Sequence, residues 1–497
     1  MNFIQNFPFF SIILSMFSGI VSSVLPAKAA KWLNTCLITV VGIMSGVLLY
    51  YLNGTGEAFV YRMGHFPAPW GNEIRAGVLE AGMAMFFCII MLLSMMGGRK
   101  KLLGEVEYSK HNLYYILVDL LLSSLLALVY TNDLFTAYVF VEINTISACG
   151  LIMIRQNGRT IEAAVRYMIM SLLGSGLFLL GISMLYDMTG HLLMSNIKES
   201  VALLAAQHEY TVPLLTTIGL MCAGLAIKSA LFPFHSWLPD AYGYSTVSSA
   251  AMLSSLVSKG YIFLLIKIFY RVIGFDIITQ SKVINVLFVF GLMGMIFGSL
   301  SAIRENDIRR MISFSSVAQI GYIYMGFGLG TEIGITASIF HILSHAATKS
   351  LLFIAAIGLT DVSKGSRKFQ DLTGAAYRNK IAGIAFTVGS LSMVGVPMFS
   401  GFVSKLLFAE ASVGHNYKML PAVIVLALST ILNAIYFMKT VIRIYVPERR
   451  KDCEVITLKS EKVYAVTLVC FILLNVVLGM FSQPIVVWIQ KGLSMFG

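Results

Sequence analysis

Seven ionisable side chains stand inside long apolar stretches of this sequence. They are Glu142 (TAYVFVEINTISACG), Lys228 (GLAIKSALFPFHSWLPDA), Lys259 (LSSLVSKGYIFLLIK), His341, His345 and Lys349 (FHILSHAATKSLLF), and Lys405 (GVPMFSGFVSKLLF). The chemistry open to such a set is proton transfer. Histidine titrates near neutrality without perturbation. A lysine tends to lose its proton when desolvated and to regain it when a carboxylate approaches. His341, His345 and Lys349 are spaced i, i+4, i+8, which puts them on one helix face with neighbours about 6 Å apart. Waters can bridge gaps of that size. Glu142 is the one carboxylate among the seven, so Glu142 and Lys228 read as a switchable pair, with the lysine proton held or released as the carboxylate approaches or withdraws.

Plainer readings compete for single residues. A charge at mid-bilayer costs roughly 2.5–3.5 kcal/mol on insertion scales, so all seven must face the bundle interior, one another or water. A lysine near the end of a span usually snorkels to the interface, and Lys267 and Lys439 are expected to do so. A lone histidine can serve as an interhelical donor, and Glu142 with a lysine can form a static ion pair. Asp119 and Glu80 read as packing or interface residues. Gly174, Gly176 and Gly181 read as sites of close helix packing.

The elements that must position these groups are membrane helices. Of 497 residues, 57% are hydrophobic and 12% charged, with a mean hydropathy of +0.81, more apolar surface than a soluble chain of this length can hide. The apolar runs are about 18–25 residues long, enough to cross a bilayer core. Fourteen spans are expected, at 5–25, 33–52, 74–96, 112–130, 133–154, 162–186, 211–235, 245–271, 283–303, 308–329, 332–359, 380–412, 421–446 and 463–489. The first is read as retained, since no small-residue cleavage site follows it. With this alternation, 23 lysines and arginines fall on one set of loops and seven (Arg62, Arg75, Lys198, Arg271, Lys282, Lys418, Lys491) on the other. That bias explains the net charge of +12 without nucleic acid, and it places both termini on the outer face.

Three spans carry interruptions. Pro233 and Pro239 bracket the end of the seventh, Pro397 with Gly395 and Gly401 breaks the twelfth, and Gly358 loosens the eleventh. Proline removes a backbone donor and clashes with the preceding turn, and carbonyls freed at membrane depth must find protein or water. Broken helices in two separated spans point to inverted repeats with an ion path between them. The expected organisation is an all-α integral membrane protein of about fourteen helices. Helices 1–3 cover residues 1–111, two inverted five-helix repeats (helices 4–8 and 9–13) cover 112–271 and 283–446, and a C-terminal helix covers 463–497. The six cysteines, Cys36, Cys88, Cys149, Cys222, Cys453 and Cys470, contain no C-x-x-C pair, which argues against a disulfide framework, zinc or an iron–sulfur cluster. No flavin, quinone or nickel signature is present, and neither cofactor nor metal is expected.

Three blocks carry a family resemblance. Lys228-Ser-Ala-Leu-Phe-Pro-Phe-His-Ser-Trp-Leu-Pro-Asp-Ala, followed by Lys259, resembles K-x-P-x-F-P-F-H-x-W-L-P-D-A-H. The stretch from Asp307 to Gly326 resembles D-x-K-R-x-x-A-Y-S-S-x-x-x-x-G-Y, and Gly395-Val-Pro-Met-Phe-Ser-Gly-Phe-Val-Ser-Lys resembles G-x-P-x-x-x-G-F-x-S-K. The chain therefore looks like the antiporter-like subunits shared by respiratory complex I, Mrp-type sodium/proton antiporters and membrane-bound group 4 nickel–iron hydrogenases, over roughly residues 75–445, and most like the D-type or middle subunits. The resemblance implies roles residue by residue: Glu142 as the fifth-helix glutamate, Lys228 as its seventh-helix partner, Lys259 as the central lysine of the eighth. His341 and His345 fall at relay positions of the eleventh helix, and Lys405 at the terminal position of the twelfth. Ser229 and Ala230, Tyr242 and Gln319 depart from the family pattern, which has proline, histidine and histidine at those places in many members.

The function this implies is proton or cation translocation by a membrane subunit of a multisubunit complex, powered by redox chemistry elsewhere or by a sodium gradient. The expected partners are other membrane subunits, protons or, as the alternative cargo, Na+, and the lipid bilayer, with no nucleic acid. The expected location is a prokaryotic cell membrane. Two alternatives are a membrane-embedded transferase using His235 and Asp240, and a structural subunit that has lost transport. The second is disfavoured because a scaffold would gain stability by replacing its buried charges with leucine.

Overall fold

The structure is a computed structural model that describes residues 3–66, 71–414, 417–447 and 461–496. Cys453 and the loop residues Arg449, Arg450, Lys451 and Lys459 lie outside the described residues. The first six long helices are α1 (Phe7–Val24), α2 (Ala27–Thr55), α3 (Val78–Glu105), α4 (His111–Tyr130), α5 (Leu134–Met153) and α6 (Gly158–Thr189). A short helix, Met194–Ala206, leads to α7 (Thr211–Lys228), and another, Leu238–Tyr244, leads to α8 (Val247–Ile273). Then come α9 (Val283–Arg304), α10 (Ile308–Leu329), α11 (Glu332–Asp361), α12 (Lys380–Val394), α13 (Ser400–Val413), α14 (Met419–Ile444), α15 (Lys462–Met480) and α16 (Ser482–Ser494). The fold is all-α and integral to the membrane. The sheet among the described residues is a two-stranded antiparallel ribbon, β1 (Phe59–Arg62) with β2 (Glu73–Ala76), in the α2–α3 connection.

Among the described residues, twelve helices are long and apolar enough to cross a membrane, against the fourteen expected. The other two expected spans exist in a different form. The 22-residue α10 has the length, but Arg309, Arg310 and its serines make it polar, and it is buried almost throughout, facing protein rather than lipid. The span expected at 380–412 divides into α12 of 15 residues and α13 of 14. The span expected at 463–489 also divides: α15 stops at Met480, four residues before Pro484, whose ring would clash with that carbonyl, and α16 follows as a separate helix.

The expected breaks at the seventh and twelfth helices are present. Lys228 is the last residue of α7, and Ala230 turns the chain with φ +62°. α12 ends at Gly395 (φ +91°), where an added Cβ would lie 3.0 Å from Lys405 Cδ, so glycine both permits the turn and leaves room for the lysine. Helix α11 stays continuous through Gly358, where Gly358 N–H donates to the Tyr464 hydroxyl at 3.0 Å and that hydroxyl donates to Ile354 C=O at 3.0 Å. The two π-helical turns in α8, Leu253–Val257 and Phe269–Ile273, were not expected from the sequence. Helix starts follow ordinary capping. Asp133 accepts from Thr136 N at 2.7 Å, and Asp307 from Arg309 N at 2.8 Å and Arg310 N at 3.1 Å.

Of Gly174, Gly176 and Gly181 in α6, two act as expected. A Cβ at Gly174 would meet the Gly224 carbonyl at 2.8 Å, and one at Gly181 would meet Met221 Cγ at 2.6 Å, whereas Gly176 is exposed with nothing within 4 Å. Gly176 is therefore not a packing site. Gly174→Ala should lower the thermal midpoint of the detergent-solubilised protein by the equivalent of about 1–3 kcal/mol of overpacking. Gly176→Ala should leave the midpoint unchanged or raise it through better helix propensity, by up to ~1 kcal/mol. Differential scanning fluorimetry of the pair checks this, and equal shifts would contradict the assignment.

Candidate functional site

Lys228, at the C-terminal end of α7, is almost fully buried beside α5. Its Nζ lies 3.8 Å from Glu142 Oε1, an ion pair looser than a direct hydrogen bond. The hydrogen bond itself goes to Thr145 Oγ1 at 2.7 Å, one turn along α5 from the glutamate. Tyr261 of α8 places its ring 5.4 Å from Nζ and its hydroxyl 3.4 Å from Thr145 Oγ1, and donates to Asn144 Oδ1 at 2.9 Å. Asn144 in turn donates to Ser124 Oγ at 2.9 Å. Glu142 itself is 24% exposed, on the bundle's outer surface, while Lys228 lies inside it.

The remaining members lie deeper. Lys259 follows the first π turn of α8, is fully buried, and donates to the Ser254 carbonyl. Lys349 of α11 donates to the Ile312 carbonyl at 2.8 Å and to Ser315 Oγ, both on α10. The rings of His341 and His345 stack at 5.9 Å between centroids. His341 Nδ1 is 2.6 Å from Ser404 Oγ, and its ring stacks on Tyr322 at 5.5 Å. Lys405 reaches back to the last carbonyls of α12, Met393 at 3.1 Å and Val394 at 2.6 Å, with Tyr322 5.9 Å away. Lys259, Lys349 and Lys405 all lie within electrostatic range of His341.

So the structure gathers Lys259, His341, His345, Lys349 and Lys405 into one group and pairs Glu142 with Lys228 in another. Among the described residues no hydrogen bond joins Lys228 to Lys259, and Tyr261, two residues beyond Lys259 on α8, contacts the Lys228 group. Both ring nitrogens of His345 and Nε2 of His341 are buried without a hydrogen-bond partner. Buried polar atoms in that state call for water, and water is the bridge a histidine relay needs.

Several residues at the site were not singled out in the sequence. Thr145, Tyr261, Tyr322, Ser315 and Ser404 all touch the row. A hydroxyl cluster of Ser344, Thr348, Ser400 and Asn475 lies beside it, with Ser344 donating to Ser400 at 2.8 Å and Thr348 to Asn475 Oδ1 at 2.6 Å. The signal for two of them was adjacency, since Ser344 and Thr348 immediately precede His345 and Lys349. Lys267 is a correction: it does not snorkel but is fully buried, donating to Leu128 O at 3.1 Å, Val129 O at 2.9 Å and Thr131 O at 2.5 Å at the end of α4. Lys439 is exposed on α14, as expected. Asp240, considered for a transferase, is held by Arg166 at 3.1 Å and by Arg310. Glu80 is a buried ion-pair residue, with Arg75 at 3.7 Å and Arg271 at 4.0 Å.

Comparison with known proteins agrees with this architecture. Residues 131–432 match the family described as NADH:quinone oxidoreductase/Mrp antiporter, transmembrane. The chain is 34% identical over 393 residues to the NADH-quinone oxidoreductase subunit N of Desulforudis audaxviator, covering 78% of this chain and 76% of that one. It is 29% identical over 461 residues to the putative antiporter subunit mnhD2 of Staphylococcus aureus strain JH9, covering 92% and 89%. The fold is shared with a chain of the membrane-bound sulfane sulfur reductase, an archaeal respiratory membrane complex (TM-score 0.88, 24% identity, 99% and 97% coverage). It is shared equally with a chain of the Mrp complex from Dietzia sp. DQ12-45-1b (TM-score 0.87, 22% identity, 99% and 97% coverage). The chain belongs to the antiporter-like family of membrane subunits found in NADH:quinone oxidoreductase and Mrp antiporter complexes.

Proposed function

We propose that this chain is a proton- or cation-translocating membrane subunit of a multisubunit complex of the NADH-quinone oxidoreductase or Mrp type. Protons move laterally near the membrane midplane, between the Glu142–Lys228 pair and Lys405, by way of Lys259, His341, His345 and Lys349. The observation that carries this reading is the pair itself. A buried ammonium hydrogen-bonded to Thr145 stands 3.8 Å from a carboxylate at the bundle surface. A small approach of Glu142 makes a direct charged hydrogen bond and a small withdrawal breaks it, so the lysine's hold on its proton changes with little motion. Glu142 is also placed where a neighbouring subunit could act on it.

The unpartnered nitrogens of His345 support the relay step, and the breaks at Lys228 and Gly395 support two inverted five-helix units, 112–271 and 283–446, around the row. The loop charge bias supports both termini on the outer face, and the bacterial sources of the relatives support a prokaryotic cell membrane location.

The test is transport by the purified parent complex in proteoliposomes, with assembly followed by size-exclusion chromatography. Lys228→Ala and Lys259→Ala should each assemble and lose transport by about 10²-fold or more, the scale of a proton-transfer group. The exposed Lys439→Gln should transport at the wild-type rate. Normal pumping in both alanine variants would sink the mechanism.

Thr145→Val tests the pair separately. Losing a hydrogen bond to a charged group costs about 1.5–3 kcal/mol, so transport should fall by about tenfold or more while Glu142 and Lys228 are both retained. An unchanged rate would remove Thr145 from the switch.

A further inference from the structure

We propose that the cavity between the ends of α3, α10 and α11 binds the headgroup of one anionic phospholipid of the phosphatidylglycerol class, with an acyl chain in the adjoining groove between α3 and α15. The site uses none of the groups in the central row, so it does not depend on the reading above.

The cavity has a volume of about 440 Å³ and lies at the end of the bundle that carries the basic loops. Lys101 in its wall pairs with Asp361, and Lys100 pairs with Glu461. With those pairs set aside, three guanidinium groups, Arg155, Arg309 and Arg367, share the cavity with one carboxylate, Glu105. Its Oε1 is 3.8 Å from Arg155 Nη2.

Backbone carbonyls hold the three arginines together. Arg309 donates to Tyr242 O at 3.2 Å and to Ser245 O at 2.5 Å. Arg367 donates to Gly243 O at 2.9 Å, and Arg155 to Tyr244 O at 3.1 Å. Four consecutive carbonyls in the turn before α8 are thus all taken by arginine. Tying down this turn accounts for those bonds. It does not account for the charge, since a carbonyl is neutral, and among the described residues neither Arg309 nor Arg367 pairs with a carboxylate. Like charges gathered in a basic pocket between helices at the membrane surface favour an anionic headgroup.

Two buried atoms define the chemistry of that anion. Arg309 is 2% exposed, and its Nε–H has no acceptor. Glu105 Oε2 has no donor. A ligand that satisfies both must accept at one atom and donate at another. A phosphodiester accepts and a headgroup hydroxyl donates, and a glycerol headgroup combines the two. A choline headgroup offers no donor.

The phosphate comes from a lipid because the cavity meets an apolar groove. Lys100 lines both. The groove, about 490 Å³ in volume, runs between α3 and α15 past the exposed side chains of Met96, Leu103 and Val463. Ile89, Met96 and Leu103 recur every seven residues on α3 and are all exposed. That stripe is about 21 Å long at 1.5 Å per residue, enough for the ~15 Å depth of one leaflet of a ~30 Å core.

The experiment is titration of the purified, delipidated chain in detergent, with bound lipid counted by native mass spectrometry. Wild type should take up one dioleoylphosphatidylglycerol per chain, at least about tenfold more tightly than dioleoylphosphatidylcholine. Glycerol 3-phosphate, which lacks the acyl chains, should bind at least about tenfold more weakly than the lipid, and equal affinity would make this a free phosphate-ester site and overturn the lipid assignment. Arg367→Gln, which keeps an N–H for Gly243 O, should weaken phosphatidylglycerol binding by about tenfold or more and leave phosphatidylcholine binding unchanged. Lys101→Gln, at the part-exposed rim, should weaken it by about fivefold. Equal affinity of the wild type for the two lipids, or an unchanged preference in Arg367→Gln, overturns the site. If Arg367→Gln does not fold, Lys101→Gln decides alone, and an unchanged preference in that variant overturns it.

Discussion

A lysine inside a bilayer must find an oxygen, and an interrupted helix must find a donor. In this protein those two needs are met by each other. Lys405 takes the last two carbonyls of α12, and Lys267 takes three at the end of α4. Lys259 takes the Ser254 carbonyl inside a π turn. Each contact places an ammonium at backbone oxygens that a regular helix would have used itself, and at helix C-termini the macrodipole adds to the attraction. The broken helices and the buried charges are therefore one feature, since neither is tolerated in hydrocarbon without the other.

This rule also separates the lysines by role. A lysine amine shared among three carbonyls, as at Lys267, is fixed in place and behaves as a helix cap. Lys228 makes no backbone contact of this kind. Its partners are side chains, the Thr145 hydroxyl, the Glu142 carboxylate and the Tyr261 ring, and side chains can move without unravelling a helix. Lys259, with a single carbonyl, lies between these cases. The group best placed to change its protonation is thus the one whose surroundings are least bound to the backbone.

The histidines fill the space between such lysines. His341 and His345 stack on each other, and Tyr322 stacks on His341 from the Lys405 side. Aromatic faces keep this part of the row packed and leave the ring nitrogens of His345 for water. The close approach of α9 and α10 behind it relies on glycine. A Cβ at Gly321 would meet the Gly291 carbonyl at 2.6 Å, so α10, too polar to face lipid, is held inside the bundle.

Much of this is legible in residue order alone. The all-α membrane class follows from the length and hydropathy of the apolar runs. The seven candidate residues stand out by type, because an ionisable group at mid-span is too costly to persist unless it is paired, solvated or used. The breaks at 228–239 and 395–401 follow from proline and glycine chemistry. What sequence could not supply is anything set by contacts between distant segments. Lys267 has the sequence context of a snorkelling residue, and only the packing of α4 against α8 buries it on three carbonyls. The π turns of α8 leave no mark in its residues. Thr145, Ser404 and Asn475 are ordinary hydroxyl and amide residues until the fold sets them against Lys228, His341 and Thr348. Periodicity and cost are local properties and can be read along the chain. Partnership is decided by which helices the tertiary structure brings together.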